Sequence, residues 1–187
     1  MRLESARLYL RSISELDAPI ILKSTMDEEI RFMTGTKPNF TLNQIKIHID
    51  HINNDSSRYD FAICLKDNNE MIGELSILDI NEDNQNAGFR ISMASISLTG
   101  KGYGTEAIKI VLNFVFEQLK LNRLQLEVFS HNLRGIRAYE KIGFVKEGTL
   151  RQSLYYNDLY SDEIIMAILK SDYKKINCKD STECLSS

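Results

Sequence analysis

Residues 97–107 read SLTGKGYGTEA and hold three of the chain's nine glycines, Gly100, Gly102 and Gly104. The run before them, AGFRISMAS (87–95), reads as a strand. The run after them, from Thr105 to about Leu119, carries Ala107, Ile108, Val111, Leu112 and Val115 at the i, i+3, i+4 spacing of one buried helical face. The order is strand, glycine loop, helix. A helix start has unpaired N–H groups and a partial positive charge, and glycine lets the backbone turn to positive φ and approach a ligand closely. Together they form an anion seat best suited to phosphate. A plain flexible turn is the competing reading, and placement between a strand and an amphipathic helix favours the seat. The spacing is G-x-G-x-G, not the dinucleotide pattern G-x-G-x-x-G. Lys101 precedes the last glycine, whereas a P-loop needs its lysine directly after it. A nucleoside triphosphate is thus disfavoured, and a diphosphate on a long tail stays open.

Outward from this stretch, ARLYLRSI (6–13) reads as a first strand. Ser14 with Asp17 opens a helix to about Ser24, and Thr41 with Gln44 opens a second to about His51. Between them IRFMTGTKPNF (30–40) reads as loop. YDFAICLK and MIGELSILDI flank the turn DNNE (67–70) and predict a hairpin. RLQLEVFS (123–130) alternates as a strand, LRGIRAYEKI (133–142) reads as a short helix stopped by Gly143, and two strand-like runs close the pattern. The expected fold is α+β (mixed α/β), one domain over residues 1–173. Residues 174–187 are expected to be a polar, disordered tail, to which no function is assigned.

Composition narrows the function. A net charge of −3 gives no basic excess for a nucleic-acid backbone. No apolar stretch reaches the ~20 residues that span a bilayer, and the start lacks a signal-peptide core, so neither nucleic acid nor membrane is expected as a partner. Three scattered cysteines suit a reducing, cytoplasmic setting. The cysteines and histidines make no metal-site spacing, so no metal is expected. A homodimer is an open assembly.

GKGYGTEA, LQLEVFSHN and AYEKIGFVKEG together resemble the GNAT superfamily of acyl-CoA-dependent N-acetyltransferases, in particular the ribosomal-protein N-terminal and spermidine acetyltransferase group. The resemblance runs from about Leu3 to Tyr173 and is strongest from Ala87 to Leu169. It implies a splayed, mostly antiparallel sheet flanked by helices, with acetyl-CoA as co-substrate in the splay. The loop Leu98, Thr99, Gly100, Lys101, Gly102, Tyr103, Gly104, Thr105 would hold the pyrophosphate. Ile91, Ser92 and Met93 would pair their backbone with the pantetheine arm, and Asn132 would hold the arm's amide region. Tyr139 would act as general acid to the departing thiolate. The acceptor would be a primary amine: a protein N-terminus, a polyamine or another small amine.

Asn132 and Tyr139 are two helical turns apart and share a face. Asn132 also stands where an N-cap belongs, and Tyr139 reads equally as a core aromatic. With reference pKa values of ~10 for tyrosine and ~8.5 for a thiol, full proton transfer is uphill by roughly 2 kcal/mol. Tyr139 is therefore expected to act mainly as a hydrogen-bond donor. Glu127 matches a glutamate proposed as base in the ribosomal-protein group, and reads equally as an outward strand carboxylate. Glu74 and His131 are the alternatives. Many relatives carry Glu after the alanine of the AGFRI strand, where this chain has Gly88. A module that binds acyl-CoA without chemistry is the competing function, and an intact Tyr139 argues against it.

Overall fold

A computed structural model describes residues 1–183. Eight strands form one sheet in the order β1-β2-β3-β4-β5-β6-β8-β7. They are β1 (Arg2–Glu4), β2 (Leu8–Ser12), β3 (Tyr59–Leu65), β4 (Met71–Asn81), β5 (Asn86–Met93), β6 (Arg123–Phe129), β7 (Val145–Tyr156) and β8 (Leu159–Leu169). All neighbours are antiparallel except β5 and β6. Six helices flank the sheet: α1 (Ala18–Ser24), α2 (Glu28–Thr34), α3 (Leu42–Asn53), α4 (Tyr103–Asn113), α5 (Leu133–Ile142) and α6 (Lys170–Glu183). The fold is the expected mixed α/β arrangement with a mostly antiparallel sheet.

Alternation along the strands builds two cores. On one face Leu75, Ile77, Phe89, Leu124 and Leu126 pack against Ile108, Val111 and Leu112 of α4. On the other, Tyr9, Ala62, Cys64 and Met71 pack against Ile21 of α1 and Ile45, Ile49 and Ile52 of α3. The parallel pair decides the shape. β5 and β6 pair only from Asn86–Arg123 to Gly88–Gln125. Beyond Gly88 the two strands have no ladder between them, so the sheet opens into a V. The backbone of Ile91–Met93 is left unpaired on that side.

Three expectations need correction. The stretch read as loop contains α2, which Asp27 caps by accepting from the N–H groups of Glu29 and Ile30 and which Gly35 ends at φ 67°. The helix after the glycine loop starts at Tyr103 and passes into one π turn over Phe114–Gln118. The tail expected to be disordered forms α6 as far as Glu183, and residues 184–187 lie outside the described residues. The cause is a narrow apolar strip in a polar segment: Tyr173 is buried against Phe116, its hydroxyl accepts from Asn113, and Ile176 covers Gly143.

Gly143 sits at φ 109°, and a Cβ there would collide with Ile176. Gly143→Ala is expected to lower stability by about 1–3 kcal/mol, the scale of left-handed strain in a non-glycine residue. A urea titration of the two proteins measures it.

Candidate active site

A cleft of about 350 Å³ opens in the V between β5 and β6, within the roughly 300–1,000 Å³ of small-molecule sites. Its floor is Ile91, Ser92 and Met93 of β5. One wall is the glycine loop and the start of α4, through Leu98, Thr99, Gly100, Gly102, Gly104, Thr105 and Ile108. The opposite wall is α5 with its cap, through Asn132, Arg134, Gly135, Ala138, Tyr139 and Lys141. Ile30, Met33 and Thr34 of α2 close the far side. The α2 residues escaped sequence reasoning, although an Asp followed by two acids and an apolar residue (27–30) is a helix-start signal. Lys101 and Tyr103 belong to the loop but not to the cleft wall: the Lys101 carbonyl and the Tyr103 ring both face Arg7.

The loop has the form of an anion seat. Gly100 and Gly102 take φ 74° and 82°, a conformation L side chains rarely adopt. Every backbone N–H from Gly100 to Thr105 lacks an acceptor among the described residues. Successive unpaired N–H groups around left-handed residues form a concave nest for an anion, reinforced here by the positive end of α4. A Cβ on Gly100 or Gly104 would meet nothing within 4 Å, so space for a ligand stands directly over them. The loop thus suits a pyrophosphate.

Asn132 stands at the start of α5 and on the cleft wall. Its Oδ1 accepts from the Gly135 N–H and caps α5, and the residue also lines the cleft. Gly135 permits this, because a Cβ there would press on the Asn132 side chain at 2.9 Å. Tyr139 leans on Phe144 and lines the cleft, and its hydroxyl has no partner among the described residues. Burial pushes its pKa up to about 12. Against a thiol near 8.5, full proton transfer from this state is uphill by roughly 5 kcal/mol. The environment therefore strengthens the case for hydrogen-bond donation by Tyr139.

The three base candidates separate. Glu127 is exposed beside Gln125, whose Nε2 donates to it at 3.3 Å, and it does not line the cleft. Both nitrogens of His131 are engaged, with Ser161 Oγ at 2.9 Å and the Phe32 carbonyl at 2.9 Å, and its ring is stacked on Phe32. The carbonyl only accepts, so Nε2 carries a proton and Nδ1 faces the serine. His131 pins α2 to the sheet. Glu74 stands opposite Ser92 across the β4–β5 ladder, in a narrow crevice that shares Ser92 and Met93 with the cleft. Burial raises its pKa, the Arg90 charge offsets this in part, and no described residue hydrogen-bonds its carboxylate. At Gly88 a Cβ would come within 3.2 Å of Leu78 Cδ1, so Leu78 leans over this position.

The model of the acetyltransferase (GNAT) domain matches residues 7–145. The chain belongs to the GNAT acetyltransferase family. The Probable N-acetyltransferase YjcK of Bacillus subtilis (strain 168) is 33% identical over 114 residues, 61% of this chain and 63% of that protein's length. Spermidine N(1)-acetyltransferase of Vibrio cholerae is 28% identical over 90% of this chain and 96% of its own. A crystal structure of spermidine N-acetyltransferase from Vibrio cholerae in complex with CoA and spermine superposes with a TM-score of 0.84, at 25% identity, over 90% of this chain and 99% of that one. This GNAT chain is an N-acetyltransferase by family. Among the described residues no helix is long and apolar enough to cross a membrane, and no three His, Cys, Asp or Glu side chains gather as metal ligands do.

Proposed function

We propose that the chain moves the acetyl group of acetyl-CoA to a primary amine by direct attack, with Tyr139 hydrogen-bonding the departing sulfur and Glu74 receiving the amine proton. One observation carries the reading: the unpaired N–H groups of the glycine loop and the unpartnered Tyr139 hydroxyl line one cleft, along the free edge of β5. The loop seats the pyrophosphate, and Ile91–Met93 pair with the pantetheine arm as a further strand would. The amine nitrogen attacks the thioester carbonyl, the C–N bond forms and the C–S bond breaks. Tyr139 then faces a growing negative charge on sulfur, where a fixed donor helps most. Glu74 accepts the proton through Ser92 or one water. A polyamine acceptor is supported by the names of the Vibrio cholerae and Escherichia coli relatives, and a protein N-terminus or another small amine fits the same chemistry. Acetyl-CoA turnover over a panel of such amines tests the reading, and CoA binding with no turnover on any of them would make the chain a binding module.

Glu74 gives a pH prediction. It must be ionised to take a proton, and its pKa lies above the ordinary ~4.3 of glutamate. The wild-type rate therefore falls as pH drops through that raised pKa. Glu74→Gln is expected to lower kcat/KM by about tenfold or more where Glu74 is ionised and the amine still protonated, with the penalty shrinking as pH falls through the raised Glu74 pKa and again at about pH 9 where the amine is largely free. It is not expected to lower the melting temperature at pH 8. The fold raises this pKa, so stability falls as pH rises from the ordinary carboxylate pKa through the raised one, and glutamine removes that cost. Parallel pH profiles in the two proteins would return the search to Glu127.

A further inference from the structure

We propose that Arg7 is a positioning residue for the cofactor: from the turn between β1 and β2 it holds the glycine loop in its anion-binding form and cancels the charge of Glu106 beside the phosphate seat. The contacts converge from two chain segments almost a hundred residues apart. The Arg7 backbone N–H donates to Glu106 Oε1 at 2.9 Å, and its Nε donates to Oε2 at 2.7 Å. Ser5 Oγ donates to the same Oε1 at 2.7 Å. Arg7 Nη1 donates to the Lys101 carbonyl at 3.2 Å, and the guanidinium lies 4.8 Å from the Tyr103 ring centroid. Nη2 comes within 3.4 Å of where a Gly102 Cβ would stand.

Each contact bears on the seat. The C=O and N–H of a trans peptide point in opposite directions. Anchoring the Lys101 carbonyl on Arg7 therefore turns the Gly102 N–H away from the β1–β2 turn and keeps it free. Glu106 lies in the first turn of α4, where an uncompensated carboxylate would repel a diphosphate. Burial alone would raise its pKa, but the Arg7 backbone N–H, the Ser5 hydroxyl and the Arg7 side chain outweigh it, and Glu106 stays ionised. The charge has to be balanced, and Arg7 balances it. A latch that merely fastened the first hairpin to α4 would stabilise the fold but would not distinguish one part of the cofactor from another.

This role rests on the glycine loop being the pyrophosphate seat, and the test separates the two. CoA is titrated by calorimetry, and pantetheine, which lacks the pyrophosphate and nucleotide, by protein NMR. The proteins are the wild type, Arg7→Ala, Arg7→Lys, Glu106→Gln and the Arg7→Ala/Glu106→Gln pair. Arg7→Ala is expected to weaken CoA by roughly tenfold, the lower end for losing a hydrogen bond to a charged group because Arg7 is half exposed. Pantetheine affinity should be unchanged. The double variant should regain part of the lost CoA affinity, since the stranded carboxylate is gone while the Lys101 carbonyl stays unanchored. Equal losses for both ligands would reduce Arg7 to a structural latch. Loss without any recovery in the double variant would overturn the charge-balancing role, and unchanged CoA affinity would end the proposal. If Arg7→Ala does not fold, Arg7→Lys carries the same comparison with a smaller loss. Gly104→Asp is the benchmark: CoA binding that survives it removes the seat itself, and this role with it.

Discussion

Gly104→Asp is expected to weaken CoA binding by about 100-fold or more without unfolding the protein, because like charges brought together in a site cost several kcal/mol. Gly104 is the best of the three loop glycines for this test. It has no positive φ, and a Cβ there meets nothing within 4 Å. An aspartate therefore enters open space over the unpaired N–H groups, where it takes the place of the phosphate. Gly102 is less informative. Its φ of 82° strains any side chain, and an aspartate there could pair with Arg7 Nη2. Gly104→Ala is the control, with a small loss expected from bulk alone. Calorimetry with CoA reads the result, and a melting curve confirms the fold. If the aspartate variant binds CoA as the wild type does, the nest holds no phosphate and the cofactor lies elsewhere in the V.

The parts legible in the sequence were those whose signal is local. The α4 stripe repeats at helical spacing, both capping boxes form as spaced, with Asp17 Oδ2 accepting from the Ser14 N–H and Gln44 Oε1 from the Thr41 N–H, and the DNNE turn closes a hairpin through Asn69 at φ 60°. Gly143 ends α5 where expected. What escaped was set by contacts distant in sequence. α2 is seven residues long beside a proline-bearing loop, and it holds its place through the Phe32 carbonyl on His131 and the Arg31 guanidinium on the carbonyls of Thr25, Lys37 and Pro38. Tyr173 and Ile176 are the apolar contacts described for α6, and their partners lie far back in the chain.

The site followed the same division. The glycines, Asn132 and Tyr139 come with their spacing, so the sequence placed them together. The proposed base did not, because alternation says which residues share a face of β6 but not what covers that face. Leu126 and Val128 do lie opposite Glu127. The face Glu127 shares with Gln125 leaves it exposed, whereas Glu74 is enclosed between α1 and β5.

Tyr139→Phe is expected to lower kcat by about 100-fold or more, the scale of positioned acid–base and oxyanion help, with CoA affinity nearly unchanged. The ring packs on Phe144 and phenylalanine keeps that contact, so the fold should hold. The wild-type hydroxyl has no partner among the described residues, so its removal strands no donor or acceptor of the protein. What is lost is a hydrogen bond to charge that appears on sulfur only as the C–S bond breaks, which is why the effect falls on kcat and not on binding. The pKa of about 12 adds a pH signature. A donor that stays protonated across the working range gives no basic limb of its own near pH 10, so the wild-type and Phe profiles should differ in height and not in shape up to that point. An acetyl donor with a more acidic thiol leaving group should lessen the penalty, because a thiolate that needs less stabilisation gains less from the tyrosine hydroxyl. A Phe variant with the wild-type kcat, at unchanged CoA affinity, would make Tyr139 a core aromatic that happens to line the cleft. The departing sulfur would then have to draw its hydrogen bond from water.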